Sequence, residues 1–181
     1  MRMKRAVSVA GVIFSQDRSS VLLIQRRDVP VWVLPGGGVE RNEYPEETVV
    51  REILEETGFT VKVERLVGHY TPINRLAKPT DLYECTICGG KAKLTNETRG
   101  IRFFALNALP WQIPPPYQEW IEDALQRHPP LNKALHSVNY WAMFSNLIKH
   151  PILVIRFLLA RLGFPINSQE KEREDEGKQR K

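Results

Sequence analysis

Glu52, Glu55 and Glu56 crowd the end of one helical segment, and these carboxylates are the strongest chemical signal in the chain. At 100° per residue they share one side of the helix, while Val50, Ile53, Leu54 and Thr57 share the other. Like charges on adjacent turns cost roughly a few tenths of a kcal/mol per exposed pair. A solvated acidic face is the plainer account of them. The sharper account is a bound cation, because hard oxygen donors at i, i+3 and i+4 suit Mg²⁺ or Mn²⁺. Upstream, Gly36, Gly37 and Gly38 form a run whose backbone can approach a ligand closely.

Spacing decides between the two accounts. From Gly37 the chain reads G-x5-E-x7-R-E-U-x-E-E-x-G-U, with U aliphatic or aromatic. Gly37, Glu43, Arg51, Glu52, Ile53, Glu55, Glu56, Gly58 and Phe59 fill every fixed position, nine over 23 residues, so chance is a poor explanation. The pattern resembles the Nudix box, the signature of hydrolases that cleave diphosphates linked to a nucleoside or other group. The approach Trp32-Val33-Leu34-Pro35-Gly36 is similar to the family's, and the resemblance covers roughly residues 5–127.

The resemblance implies a site. The Gly37 carbonyl and the carboxylates of Glu52, Glu55 and Glu56 would hold the metal, with Gly36, Gly38 and Gly58 supporting the backbone. Arg51 would hold one of the glutamates by a charge-assisted hydrogen bond, and Glu43 would orient Arg51. The general base in such enzymes is a glutamate within the box or on a later loop, and Glu97 stands where that later acid is expected. Arg26 and Arg27, at the end of a strand, are candidate phosphate contacts, Arg27 first; two plain surface arginines are the other reading. Asn42 stands where the family often has glycine, and asparagine is among the few other residues that accept left-handed backbone. Tyr44 replaces a common capping serine and cannot cap in the same way. Neither removes a ligand.

These residues need a scaffold. Strand-like runs are expected at Ala6–Phe14, Val21–Arg27, Val31–Leu34, Thr60–Tyr70 and Ile101–Leu106, with a hairpin formed by Leu82–Cys88 and Lys91–Leu94 about Gly89-Gly90. Helices are expected from Pro45 to Gly58 and over Pro115–Arg127. The order implies an α/β fold with a mixed sheet between helices, and the Nudix resemblance implies the same α/β/α sandwich. Residues 1–130 form the expected hydrolase domain. Beyond Pro129-Pro130, Leu131–Lys149 and Pro151–Phe164 are read as a helical extension over 131–166, followed by a charged, disordered tail at 167–181.

Charge and cysteine usage bound what else the chain does. Residues 1–130 are nearly neutral, with 17 Lys/Arg against 16 Asp/Glu, whereas 131–166 carry four basic residues and no acid. That segment would pack on the domain, form a homodimer interface, or meet an anionic membrane surface through 138–164. Four charges among apolar residues make a poor phosphate track, so nucleic acid is not expected. Cys85 and Cys88 lie three apart on a strand, point to opposite faces and should not bond each other. No stretch offers about 20 uncharged apolar residues, and the apolar N-terminal run ends in a turn with no cleavage site. A cytoplasmic protein, with or without membrane association, is the expectation.

The reading is therefore Mg²⁺-dependent hydrolysis of a nucleoside diphosphate derivative. ADP-ribose-like or nucleotide-sugar substrates are slightly favoured, partly by Pro72, which lies 13 residues after the box. Oxidised nucleoside triphosphates are the alternative. A non-catalytic Nudix-fold nucleotide-binding module is the rival of another class, and the three retained glutamates count against it. In a third reading the C-terminal segment is primary, a membrane or partner anchor carrying an incidental domain.

Overall fold

The computed structural model describes residues 7–74 and 77–136. Their elements run β1 (Ser8–Val12), β2 (Ser20–Arg26), β3 (Trp32–Val33), α1 (Pro45–Thr57), β4 (Phe59–Pro72), β5 (Thr80–Gly90), β6 (Thr98–Ala105), α2 (Pro115–Leu125) and β7 (Leu131–Leu135). Alternation along β1 sets the layers. Val9 packs with Val49 and Ile53 of α1, whereas Ala10 and Val12 pack with Trp120, Ile121 and Ala124 of α2. One strand thus feeds two apolar clusters on opposite faces, as a period of two requires.

The central sheet is mixed, in the order β1-β5-β4-β7. β1 runs parallel to β5, β5 antiparallel to β4, and β4 parallel to β7. With α1 and α2 on its two faces it makes the expected α/β/α arrangement. A second, antiparallel sheet, β3-β2-β6, carries the edge from which the site is completed.

The ends of α1 follow from local chemistry. Asn42 does adopt left-handed backbone, with φ +68°. Tyr44 gives no side-chain cap, but the Glu47 carboxylate accepts the Tyr44 N–H at 3.1 Å and Pro45 starts the first turn. Gly58 closes the helix at φ +76° and donates its N–H to the Leu54 carbonyl at 2.8 Å.

Two expectations about elements are corrected. Lys91–Leu94 makes no hairpin strand. The Lys91 and Lys93 N–H groups instead donate to the carbonyls of Gly58 (3.2 Å) and Thr57 (2.9 Å), because carbonyls at a helix end have no intrahelical partner. Leu131–Leu135 is not helical and not outside the domain. It is a strand paired in parallel with Gly68–Pro72 of β4. Gly68 makes room for it, since a Cβ there would stand 2.9 Å from the Leu131 carbonyl oxygen.

β7 also enters the polar interior. Lys133 pairs with Glu119 at 2.9 Å and Asp123 at 3.0 Å, and Asp123 accepts the hydroxyl of buried Tyr70 at 2.9 Å. Tyr70 is thus tied into the core, and Trp32 stands edge-on to Phe104 at 4.7 Å. Pro72, read as a substrate hint, is the last residue of β4 and pairs with Leu135. A second network joins sheet to helix: Glu84 accepts from both Arg18 and Arg65, and Arg65 donates to the Ala124 carbonyl near the end of α2 at 2.7 Å. Cys85 is buried and Cys88 exposed, each a free thiol, as opposite strand faces require. The apolar stretch 138–164 and the charged tail lie outside the described residues. No described helix is long and apolar enough to cross a membrane.

Candidate active site

The glycine run and α1 meet edge-on, and the meeting depends on missing side chains. A Cβ on Gly37 would fall 2.3–2.5 Å from the carboxylate of Glu52, so that carboxylate occupies the space a side chain would take. A Cβ on Gly36 would strike the Val9 carbonyl oxygen at 2.2 Å, because the loop is pressed against β1. The Gly36 N–H donates to Glu56 Oε2 at 2.8 Å, while the Gly37 carbonyl accepts the Val9 N–H at 2.9 Å. The carbonyl expected to face a cation thus already has one partner, and its second lone pair is what it has left to offer.

Arg51 organises the acids. Its guanidinium grips Glu43 with two bonds, Nε to Oε1 at 2.8 Å and Nη2 to Oε2 at 3.0 Å, a bidentate fork. Nη1 reaches Glu52 at 3.1 Å and Glu55 at 3.2 Å, and Nη2 makes a long contact of 3.5 Å with the Gly38 carbonyl. Glu43 also accepts the Thr48 hydroxyl at 2.8 Å. The bonds from Arg51 and Thr48 hold its carboxyl down at about 2. The expected Glu43–Arg51 pair is present. Thr48, fully buried, is a partner that sequence reasoning missed, and no motif position pointed to it.

The other carboxylates sit in a strongly anionic setting. Burial pushes Glu56 up to about 8, opposed by the Gly36 N–H and by Arg26 and reinforced by the charges of Glu52 and Glu97. Burial raises Glu52 as well, with Arg51 opposing and Glu55 and Glu97 adding to it. Glu97, an exposed residue, adds to the field at both box glutamates. Glu55 is the open member, with a side chain 59% exposed.

The two arginines have different partners. Arg27 braces the loop carrying Glu97: its N–H donates to the Glu97 carbonyl and its Nε to the Thr95 carbonyl, both at 2.9 Å. Arg26 follows a register slip in the β2–β6 pairing and forks onto Asp28 at 2.9 and 2.6 Å. Its charge and the Tyr117 ring of α2 both lie within electrostatic reach of Glu56. Arg26 was visible in the sequence beside Arg27. Tyr117 was not, since only tertiary packing brings α2 to the glycine run.

This donor set fits a hard divalent cation. Four carboxylates share one region, burial and mutual repulsion disfavour ionising two of them, and a cation would relieve both. Among the described residues no three acids stand in a closed coordination cluster. Glu52 and Glu55 are turned onto Arg51, and Glu56 onto Gly36.

Comparison with known proteins agrees with this arrangement. The NUDIX domain profile matches residues 4–124. A candidate 8-oxo-dGTP diphosphatase of Bacillus subtilis (strain 168) is 36% identical over 115 residues, covering 63% of this chain and 76% of that protein. An ADP-ribose pyrophosphatase of Methanocaldococcus jannaschii is 39% identical over 111 residues, covering 58% of this chain and 64% of that protein. Among solved structures, a UDP-X diphosphatase superposes with TM-score 0.61 at 25% identity, over 73% of this chain and 68% of that one. A complete box, the acids it gathers, and a domain match that spans both helices and six of the seven strands have one explanation: this chain belongs to the Nudix family and is a pyrophosphohydrolase acting on acid anhydrides.

Proposed function

We propose that the chain hydrolyses the diphosphate bond of a nucleoside diphosphate derivative, using Mg²⁺ or Mn²⁺ held by Glu52, Glu55, Glu56 and the Gly37 carbonyl. Nudix hydrolases generally use a divalent metal, and the shared field of Glu52, Glu55, Glu56 and Glu97 is the observation that carries the reading here. When bound, such an ion neutralises phosphate charge and lowers the pKa of a bound water. The chain's own residues supply the rest. Arg51 holds Glu52 and Glu55 in register, and Glu43 and Thr48 hold Arg51. Arg27 braces the backbone of the loop that carries Glu97, and we assign to Glu97, rather than to a box glutamate, the role of accepting a proton from the attacking water. Arg26 and Arg27 both remain candidate phosphate contacts: the charge of Arg26 reaches Glu56 but its guanidinium forks onto Asp28, and the Nε of Arg27 is bonded to the loop.

The substrate's nucleoside and its distal group are the open choice, and relatives named for ADP-ribose and for 8-oxo-dGTP support both classes. A phosphate-release screen over ADP-ribose, nucleotide sugars and oxidised and ordinary nucleoside triphosphates, with Mg²⁺ and with Mn²⁺, tests the proposal. Turnover of at least one compound by the wild type, abolished in Glu55→Gln, is expected. Wild type and variant equally inert across the panel would hand the site to a binding role.

A further inference from the structure

The C-terminal turn of α1 and the chain that crosses it border an open groove of about 350 Å³. Leu54, Glu55 and Gly58 form one wall, and Lys93, Leu94, Thr95 and Asn96 form the other. The volume falls within the range of small-molecule sites, roughly 300–1,000 Å³. Both ends of the second wall are fixed: the Lys93 N–H is tied to the Thr57 carbonyl, and the Thr95 carbonyl accepts from Arg27 Nε. Glu55 is the member of the acidic cluster that lines the groove; Glu52, Glu56 and Glu97 do not line it.

Its lining is mixed and largely exposed. Leu54 and Leu94 are 47% and 54% exposed, two large apolar side chains on facing walls. Lys93 is the groove's only cationic lining residue, and among the described residues its ammonium has no hydrogen-bond or ion-pair partner. Lys93 is exposed, and its ammonium is a point charge that an anion entering the groove can meet. Thr95 and Asn96 add polar groups that can fix its orientation.

We propose that this groove receives the group attached beyond the cleaved diphosphate and that Lys93 makes it selective for an anionic group there, a terminal phosphate rather than a neutral sugar. The inference deepens the hydrolase reading and rests on it. The nucleoside then lies on the other side of the acids, toward Arg26 and Tyr117, and the distal phosphate lies over the end of α1. This favours a terminal phosphate over the sugar-linked substrates expected with weak support from Pro72, a residue the fold uses to end β4.

ATP and ADP-ribose share the adenosine diphosphate part and differ in the distal group, so their ratio of kcat/KM reads the groove. Lys93→Gln should lower that ratio about tenfold, through KM more than kcat, the size expected from one charged hydrogen bond. Lys93→Arg should restore most of it, and Lys91→Gln, which removes a charge outside the groove, should leave the ratio unchanged. An unchanged ratio in Lys93→Gln, or an equal fall in Lys91→Gln, overturns the proposal. Binding of inorganic tripolyphosphate with Mg²⁺, followed by calorimetry on the full chain, decides the matter without turnover. Weaker binding in Lys93→Gln alone supports the groove even if neither nucleotide is hydrolysed, and equal binding by wild type and Lys93→Gln removes it.

Discussion

At the scale of single residues, Gly37 and Arg51 separate activity from stability. An alanine methyl at Gly37 would meet the Glu52 carboxylate, the far end of a flexible side chain, and not backbone. Gly37→Ala should therefore fold normally and lose catalysis, because Glu52 must swing out of register with Glu55 and Glu56. A kcat lower by roughly 10²-fold with an unchanged thermal midpoint is the expected result, read by steady-state kinetics beside a melting curve. Arg51→Lys keeps the charge and loses the fork that holds Glu43 while touching Glu52 and Glu55. A point charge cannot replace that geometry, so activity should fall about 10–100-fold, the usual cost of removing a residue that orients ligands. Restoration of activity by lysine would mean that charge alone matters at this position.

At the scale of elements, the end of α1 and the strand β5 show what a sequence can and cannot disclose. Gly58 was legible because a helix that stops on glycine needs left-handed backbone, and its φ of +76° agrees. Gly58→Ala should cost about 1–2 kcal/mol for the backbone alone, and more from the Lys91 carbonyl oxygen 2.5 Å from the new methyl; urea denaturation reads the sum. The crossing at Lys91–Leu94 was not legible. Its residues alternate as a strand would, and only the orphan carbonyls at a helix end, Thr57 and Gly58, draw its N–H groups away. The facing of Cys85 and Cys88 was legible from strand period alone. Burial pushes the Cys85 thiol up to about 12, so it stays protonated through the physiological range and is sheltered from reagent. A thiol reagent at pH 8 should titrate one cysteine in the native protein and two after denaturation; two fast-reacting thiols in the native state would contradict the packing of β5.

At the scale of the whole molecule, the box identified the reaction and left the limits of the domain unspecified. Leu131, Lys133 and Leu135 satisfy a strand's alternation, and Leu131 and Leu135 also satisfy a helix's i, i+4 spacing, so the pattern is ambiguous by itself. Tertiary partners resolve it. Leu135 is 1% exposed, and Lys133 neutralises Glu119 and Asp123, so one of the four basic residues assigned to an extension belongs to the folded domain. A chain ending at Pro130 would bare the edge of β4 from Gly68 to Pro72 and leave Asp123 with Tyr70 and no cation. Burial of a leucine is worth about 2 kcal/mol, and a buried acid deprived of its cation adds about 1–3 kcal/mol. The chain cut after Pro130 should therefore be less stable than one cut after His136 by about 3 kcal/mol or more, and the difference should appear as a lower urea midpoint. Equal midpoints would mean that β7 is an ornament on the sheet. A lower midpoint would also mean that any membrane test of residues 138–164 must compare the full chain with a version ending at His136, since removal of β7 perturbs the domain itself.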